Sequence, residues 1–201
     1  LNQLNRTTRD LSRNFEHISS GLRISRAADD AAGLGVAENL RSIHSSADVA
    51  IRNVNDGISV ISVAEGATNE VSTILIRLRE LAIQSASQTL ADTERSYIQT
   101  ETDQLVSEID RIANVTEFNG VSLSNGTTTA IAVQVGVRNT SNDQITIMLG
   151  DMTTTALNVT SLNLSTSTAA LAAITTLDTA LDSVGSVRSG YGAVENRLNS
   201  A

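Results

Sequence analysis

The chain has no proline, no cysteine, no tryptophan and no lysine among its 201 residues, and aromatic side chains make up only 2%. Each absence excludes something. Without cysteine there is no disulfide, no thiol nucleophile and no cysteine-based zinc site. Without proline nothing covalent interrupts a helix, since proline removes a backbone donor and clashes with the preceding turn. With so few aromatics, which supply the largest buried areas, the core has to be built from Ala, Val, Ile and Leu. Such a core is thin, as in a bundle. All 14 basic residues are arginine, against 22 acidic ones. The net charge of −8 and pI near 4.7 argue against nucleic acid as a partner. No apolar run approaches the roughly 18 residues of a membrane span. No signal peptide is visible, and Leu1 is already a position of an apolar stripe, as if inside a helix. The stretch is therefore expected to be a piece of a longer chain.

What is present is a seam. Val36, Leu40, Ile43, Ala47, Ala50, Val54, Ile61, Ala64, Val71, Leu75, Leu78 and Ala82 keep a register of alternating four- and three-residue steps, interrupted only at Gly57 and Thr68. A 3.5-residue repeat held over several heptads predicts one long helix buried along a stripe. At about 1.5 Å per residue, residues 34–88 would form a rod of roughly 80 Å, far longer than an ordinary globular helix. Long rods span and join, which points to a structural or assembly protein rather than a compact enzyme.

Residues 1–20 carry a seam of their own, Leu1, Leu4, Thr8, Leu11, Phe15, Ile18 and then Leu22, interrupted by Ser19-Ser20-Gly21, where Gly21 suits a helix C-terminus or a turn. Residues 19–35 read as an irregular connector in which Asp29 and Asp30 cap the long helix. A turn at 87–92, with Asp92 as N-cap, opens a helix over 93–114 that places Ile98, Leu105, Ile109 and Ile112 on one face. Glu117-Phe118-Asn119-Gly120 reads as a stop and turn. The period then becomes two: Ile131, Val133, Val135 and Val137, then Ile145, Ile147 and Leu149, flank turn residues 139–143. That predicts a β-hairpin over 130–149. Residues 150–168, rich in Thr, Ser and Asn, read as a loop with one short strand. Helical spacing returns over 168–200 through Leu171, Ile174, Leu177, Leu181, Val184, Tyr191 and Leu198; Gly185, Gly190 and Gly192 weaken it only locally. The expected fold is mainly α: an elongated helical bundle or coiled-coil rod with a small β-hairpin. The first and last long segments pair, with both termini at one end and the hairpin at the other.

Catalytic patterns are lacking. Asp29 and Asp30 have no His, Lys or nucleophile in their motif and read as caps rather than an acid–base pair. His17 and His44 are not spaced as metal ligands and read as surface or heptad-flanking residues. Gly33-Leu34-Gly35 lacks the third glycine of a dinucleotide loop, because residue 38 is Glu. Triplets such as Asn125-Gly126-Thr127 and Asn158-Val159-Thr160 are frequent by chance in a Thr-rich chain. No enzyme activity, cofactor or metal is expected. One ridge stands out beside the seam: Ile74, Arg77, Leu81 and Gln84, with Tyr97, Glu101, Gln104 and Glu108 on the next helix. By periodicity alone it is a solvated face carrying one apolar Leu.

Several blocks carry a family resemblance. SSGLRISRAADDAAGLGVAENLRS (19–42), RNVNDGISVISVAEGATNEV (52–71), RELAIQSAS (79–87), EIDRIANVTEFNGVSL (108–123), AVQVGV (132–137) and GAVENRLNSA (192–201) resemble, in order, segments of bacterial flagellin. The resemblance covers almost the whole chain. It implies that residues 1–20 are part of the N-terminal inner-tube helix and residues 21–201 the rod domain called D1. Flagellins continue past the position of Ala201 into a C-terminal inner helix, and carry outer domains in the middle, for which the polar stretch here is too short. The implied function is a structural subunit of the flagellar filament, secreted and self-assembling for motility. The implied partners are other flagellin subunits, with no nucleic acid and no membrane, and any glycan is expected to be O-linked. The ridge acquires a meaning by the same resemblance. In flagellins this face packs against the next subunit, and in the monomer it is recognised by Toll-like receptor 5; the matching positions are Arg77, Leu81 and Glu101, with Gln84 nearby. A hook–filament junction protein shares the terminal segments but is disfavoured by the RELAIQSAS, FNG and QVG blocks. A chemoreceptor signalling domain is disfavoured by the hairpin, which would interrupt its continuous coil.

Overall fold

The computed structural model describes residues 2–201; the first position of the N-terminal seam, Leu1, lies outside the described residues. Four helices, α1 (Asn2–Ser20), α2 (Ala31–Ala86), α3 (Asp92–Val115) and α4 (Ser167–Asn199), carry most of the chain. Between α3 and α4 lie four short strands: β1 (Glu117–Phe118), β2 (Val121–Ser122), β3 (Ala130–Gln134) and β4 (Gln144–Met148). The chain divides into two compact units, 1–49 and 50–201.

In the first unit no described residue is buried. The α1 stripe is formed but open: Leu4, Leu11, Phe15 and Ile18 are 56–78% exposed. Val36, Leu40 and Ile43 at the start of α2 are 44–60% exposed. Residues Asn2–Ser20 form a regular helix whose apolar side faces solvent. Asp30 alone caps α2, its Oδ1 accepting from the Gly33 N–H at 2.8 Å while its carbonyl accepts from Leu34 N–H at 3.0 Å. Gly33 is needed there because a Cβ would collide with the Asp30 carboxylate and sit 2.8 Å from the Ile24 methyl. Asp29 does something else. It turns back on the connector and accepts from Ser25 N–H (3.2 Å), Arg26 N–H (3.1 Å) and His17 Nε2 (3.0 Å). His17 is thus half-buried and engaged rather than a free surface residue.

In the second unit α4 runs antiparallel to α2. Ser167 Oγ donates to the Ala86 carbonyl at 2.7 Å, Arg79 meets Asp178 at 2.6 Å, and Arg188 stands 3.8 Å from Glu65. One core joins Val71, Leu75, Leu78, Leu81 and Ala82 of α2 to Ile98, Ile109 and Ala113 of α3 and to Ala173, Leu177 and Val184 of α4. A second joins Val60, Ile61 and Ala64 to Val133, Ile145 and Ile147 of the β3–β4 hairpin and to Tyr191 and Leu198. The two apparent breaks in the seam are part of it. Gly57 is buried where a Cβ would come 3.1 Å from Val133 and 3.4 Å from Leu198, so its lack of a side chain lets strand and helix approach. Thr68 is buried with its hydroxyl donating to the Ala64 carbonyl at 2.7 Å, a satisfied polar group in an apolar stripe.

The β3–β4 hairpin pairs Ala130 with Met148 through Gln134 with Gln144. β3 stops at Gln134, short of Val137, because Gln134 Nε2 donates to the Gly136 and Arg138 carbonyls and the Val135 and Gly136 N–H groups both bond the Asp143 carbonyl. The hairpin does not lie at the end of the bundle away from the C-terminus. It packs beside the last turns of α4, because Val133, Ile145 and Ile147 need apolar cover and the stripe between Gly57 and Leu198 provides it. A second hairpin, β1–β2, turns at Asn119 (φ 49°) and Gly120 (φ 77°). Asn-Gly is the preferred pair for such a two-residue turn, so the signal read as a stop also marked a hairpin. The N-cap of α3 is Ala91, whose N–H donates to Glu94 at 3.0 Å; Asp92 sits one position inside the helix. Residues 150–166 contain no strand. They form a strap tied down by α3: Asp110 accepts from Thr154 N–H and Oγ1, both at 2.9 Å, and the Gln99 amide bridges Leu162 O and Leu164 N–H.

Candidate interaction surfaces

The ridge on α2 and α3 is built around one guanidinium. Arg77 donates through Nε (3.0 Å) and Nη2 (2.8 Å) to Glu101 Oε1, and through Nη1 (3.1 Å) to Glu80. The Glu101 hydrogen bond, then that of Glu80, raises the Arg77 pKa above its ordinary value. Arg77 and Glu101 therefore meet across two helices, both half-exposed. Gln84 is exposed on the same helix as Arg77. On α3, Tyr97 is 71% exposed; Glu101 and Gln104 are also exposed. Glu108 is bound to Arg111 at 2.6 and 2.7 Å, a pairing that lowers its pKa.

Leu81 does not belong to this surface. It is 1% exposed and part of the first core. Here α2 packs against α3, α4 and the strap together, so its buried stripe takes in Leu78, Leu81, Ala82 and Ser85, wider than the a/d seam of a two-helix contact. The residues that do stand out beside Arg77 and Gln84 are Ile76 and Ile83, each half exposed. They sit seven apart and one step off the seam, a spacing that could have flagged them.

Arg95 is another residue that sequence reading missed. It is 4% exposed on α3, with Nη1 donating to Leu90 O (3.2 Å), Nη2 to Ser87 O (2.8 Å) and Nε without a partner. It closes the turn after α2, where a cation meets the carbonyl-rich helix end favourably. The second exposed surface is the apolar side of α1 and of α2 up to Ile43. Scattered exposed aliphatic residues are ordinary, but a periodic stripe of them is the kind of surface a partner covers. Among the described residues no group of three His, Cys, Asp or Glu side chains could hold a metal, and no helix is long and apolar enough to cross a membrane.

Residues 1–129 match the family model of the bacterial flagellin N-terminal helical region. A flagellin of Halalkalibacterium halodurans is 40% identical over 92% of this chain and 68% of its own length. The flagellar filament 33 kDa core protein of Treponema phagedenis is 37% identical over 97% of this chain and 73% of its own length. Among solved structures, the crystal structure of Bacillus cereus flagellin superposes with a TM-score of 0.66 at 34% identity, covering 74% of this chain and 85% of that one. A seam-built set of helices, matched this extensively by sequence and by structure, places the chain in the bacterial flagellin family, whose members are structural proteins of the flagellum and not enzymes.

Proposed function

We propose that this chain is a subunit of the bacterial flagellar filament that packs against other flagellin subunits through the open apolar faces of α1 and the start of α2. Residues 1–20 are then part of an inner-tube helix and residues 21–201 the rod domain. One observation carries the reading. The stripe at Val36, Leu40 and Ile43 has the same period as the buried stripe at Leu75, Leu78 and Ala82, yet it is exposed in the isolated chain. Apolar surface of this regularity gains roughly 25 cal/mol for each Å² removed from water, so covering it would help drive side-by-side assembly. Phe15→Asp and Leu40→Asp, made in the protein as its bacterium produces it, should abolish filaments in electron micrographs while leaving the circular dichroism of the purified chain intact. Filaments of normal length in both variants would overturn the proposal.

A finer reading concerns the Arg77 ridge. Arg77, Glu101 and Gln84 form a face open to Toll-like receptor 5 in the monomer and hidden in the filament. The support is rigidity: the Arg77–Glu101 pair joins two helices anchored in one core, so little side-chain freedom is lost on docking. Arg77→Ala and Glu101→Ala should each weaken receptor binding about tenfold, as truncation of an interface anchor does. Binding and reporter activation should be measured separately, and undiminished binding in both variants sinks this reading. Leu81 contributes only by supporting the helix beneath the ridge.

A further inference from the structure

Among the described residues the first unit has no buried core, so what fixes α1 relative to the connector is polar. Besides Ser20 Oγ, which accepts from the neighbouring Leu22 N–H, two side chains further back on α1 reach the connector: Glu16 accepts from Arg26 at 2.6 and 2.9 Å, and His17 Nε2 lies 3.0 Å from Asp29 Oδ2. That same carboxylate oxygen also accepts from Ser25 N–H, Ser25 Oγ and Arg26 N–H, so Asp29 organises the connector and grips α1 at once. Its side chain is only 11% exposed, and that of His17 28%. The next residue, Asp30, is turned the other way to start α2.

We propose that His17 and Asp29 form a proton-operated latch: the cationic imidazole holds the end of α1 on the connector, and loss of its proton loosens that hold. Among ionisable side chains, imidazole is the class whose charge responds to pH near neutrality. Asp29 remains ionised there, since its pKa is held down to about 2, first by the His17 hydrogen bond and then by the Arg26 and Ser25 N–H groups against the opposing effect of desolvation. An ionised carboxylate can only accept, so Nε2 carries the hydrogen in both states. What changes is the charge assistance, which about doubles the strength of such a bond. The other charged groups nearby are already matched. Arg26 is paired with Glu16, Arg13 one turn back on α1 is paired with Asp10, and the Asp30 carboxylate bonds the Gly33 N–H.

The test monitors the amides of Ser25 and Arg26 in the full 201-residue chain by hydrogen exchange, with the intrinsic pH dependence of exchange divided out. Protection should be about three- to fivefold higher near pH 5.5 than near pH 8, allowing for partial solvent screening. His17→Arg should hold the high value at both pH values, and His17→Gln the low value at both. His44, which meets Asp48 at 3.4 Å with 81% of its side chain exposed, provides a control; His44→Gln should leave the pattern unchanged. The proposal is overturned if the native chain shows no pH difference, or if the difference persists in His17→Gln or His17→Arg.

Discussion

Residues 1–49 and 50–201 use the same apolar period to opposite ends. From Ala50 onward the stripe is covered by α3, α4 and the β3–β4 hairpin; before it, the stripe is complete and bare. The period fixes which side of a helix is apolar. Whether that side is buried depends on how many further elements the chain can bring to it. Within the described residues nothing covers the stripe before Ala50, and under the proposed function it is the part that meets other subunits.

The largest effects should separate the two regions by stability. Leu78→Ala, Ile109→Ala or Leu81→Ala removes a fully buried side chain and should cost about 2–5 kcal/mol. Leu40→Ala, at 60% exposure, should stay within about 0.5 kcal/mol in denaturant titrations. A Leu81 variant as stable as the parent would put Leu81 back on the surface. Asp110→Ala comes next. It releases both bonds to Thr154 and should cost about 1.5–3 kcal/mol, with hydrogen exchange rising first in residues 150–160. The glycines sharpen the comparison further. Gly57→Ala forces Val133 and Leu198 to yield, and should lose about 1–2 kcal/mol after its gain in helix propensity. Gly35→Ala meets nothing within 4 Å and should gain about 0.5–1 kcal/mol of helix stability. Equal signs at the two positions would break the distinction. The smallest effect lies in acid. A depressed carboxylate contributes fully above its unfolded pKa and loses that contribution as pH falls through the folded one. The Asp29 contacts should therefore persist below pH 3.8 and fade only towards about 2, visible in the amide shifts of Ser25 and Arg26.

Much of this was legible in the chain. The seam from Ala50 to Ala82, the helix from Thr168, and the alternation at Val133, Ile145 and Ile147 each report a single physical demand, and the structure meets it there, with Val54 only half-buried and Leu171 58% exposed before α4 settles into the core. Three things were not legible. Leu81 looked like a surface residue because a two-helix register leaves it outside the seam, and only the simultaneous packing of two helices and a strap widens the stripe. Gly57 and Thr68 looked like interruptions because periodicity counts side-chain polarity, not how closely a neighbouring strand must approach. His17 looked uncommitted because its partner lies twelve residues away in a connector without period. On the ridge, the pairing of Arg77 with Glu101 across two helices is announced by the periodicity of neither.

The antiparallel run of α4 along α2 has a consequence for the order of folding. Arg77 finds Glu101 only 24 residues on, so α2 and α3 can collapse together early. The bonds joining Arg79 to Asp178 and Ser85 to Leu164 close loops of 99 and 79 residues. Contacts of such separation are entropically dear before the chain is compact, and they slow folding. The docking of α4 should therefore be the late, rate-determining event. Until α4 is in place, the core faces of α2 and α3 stay open.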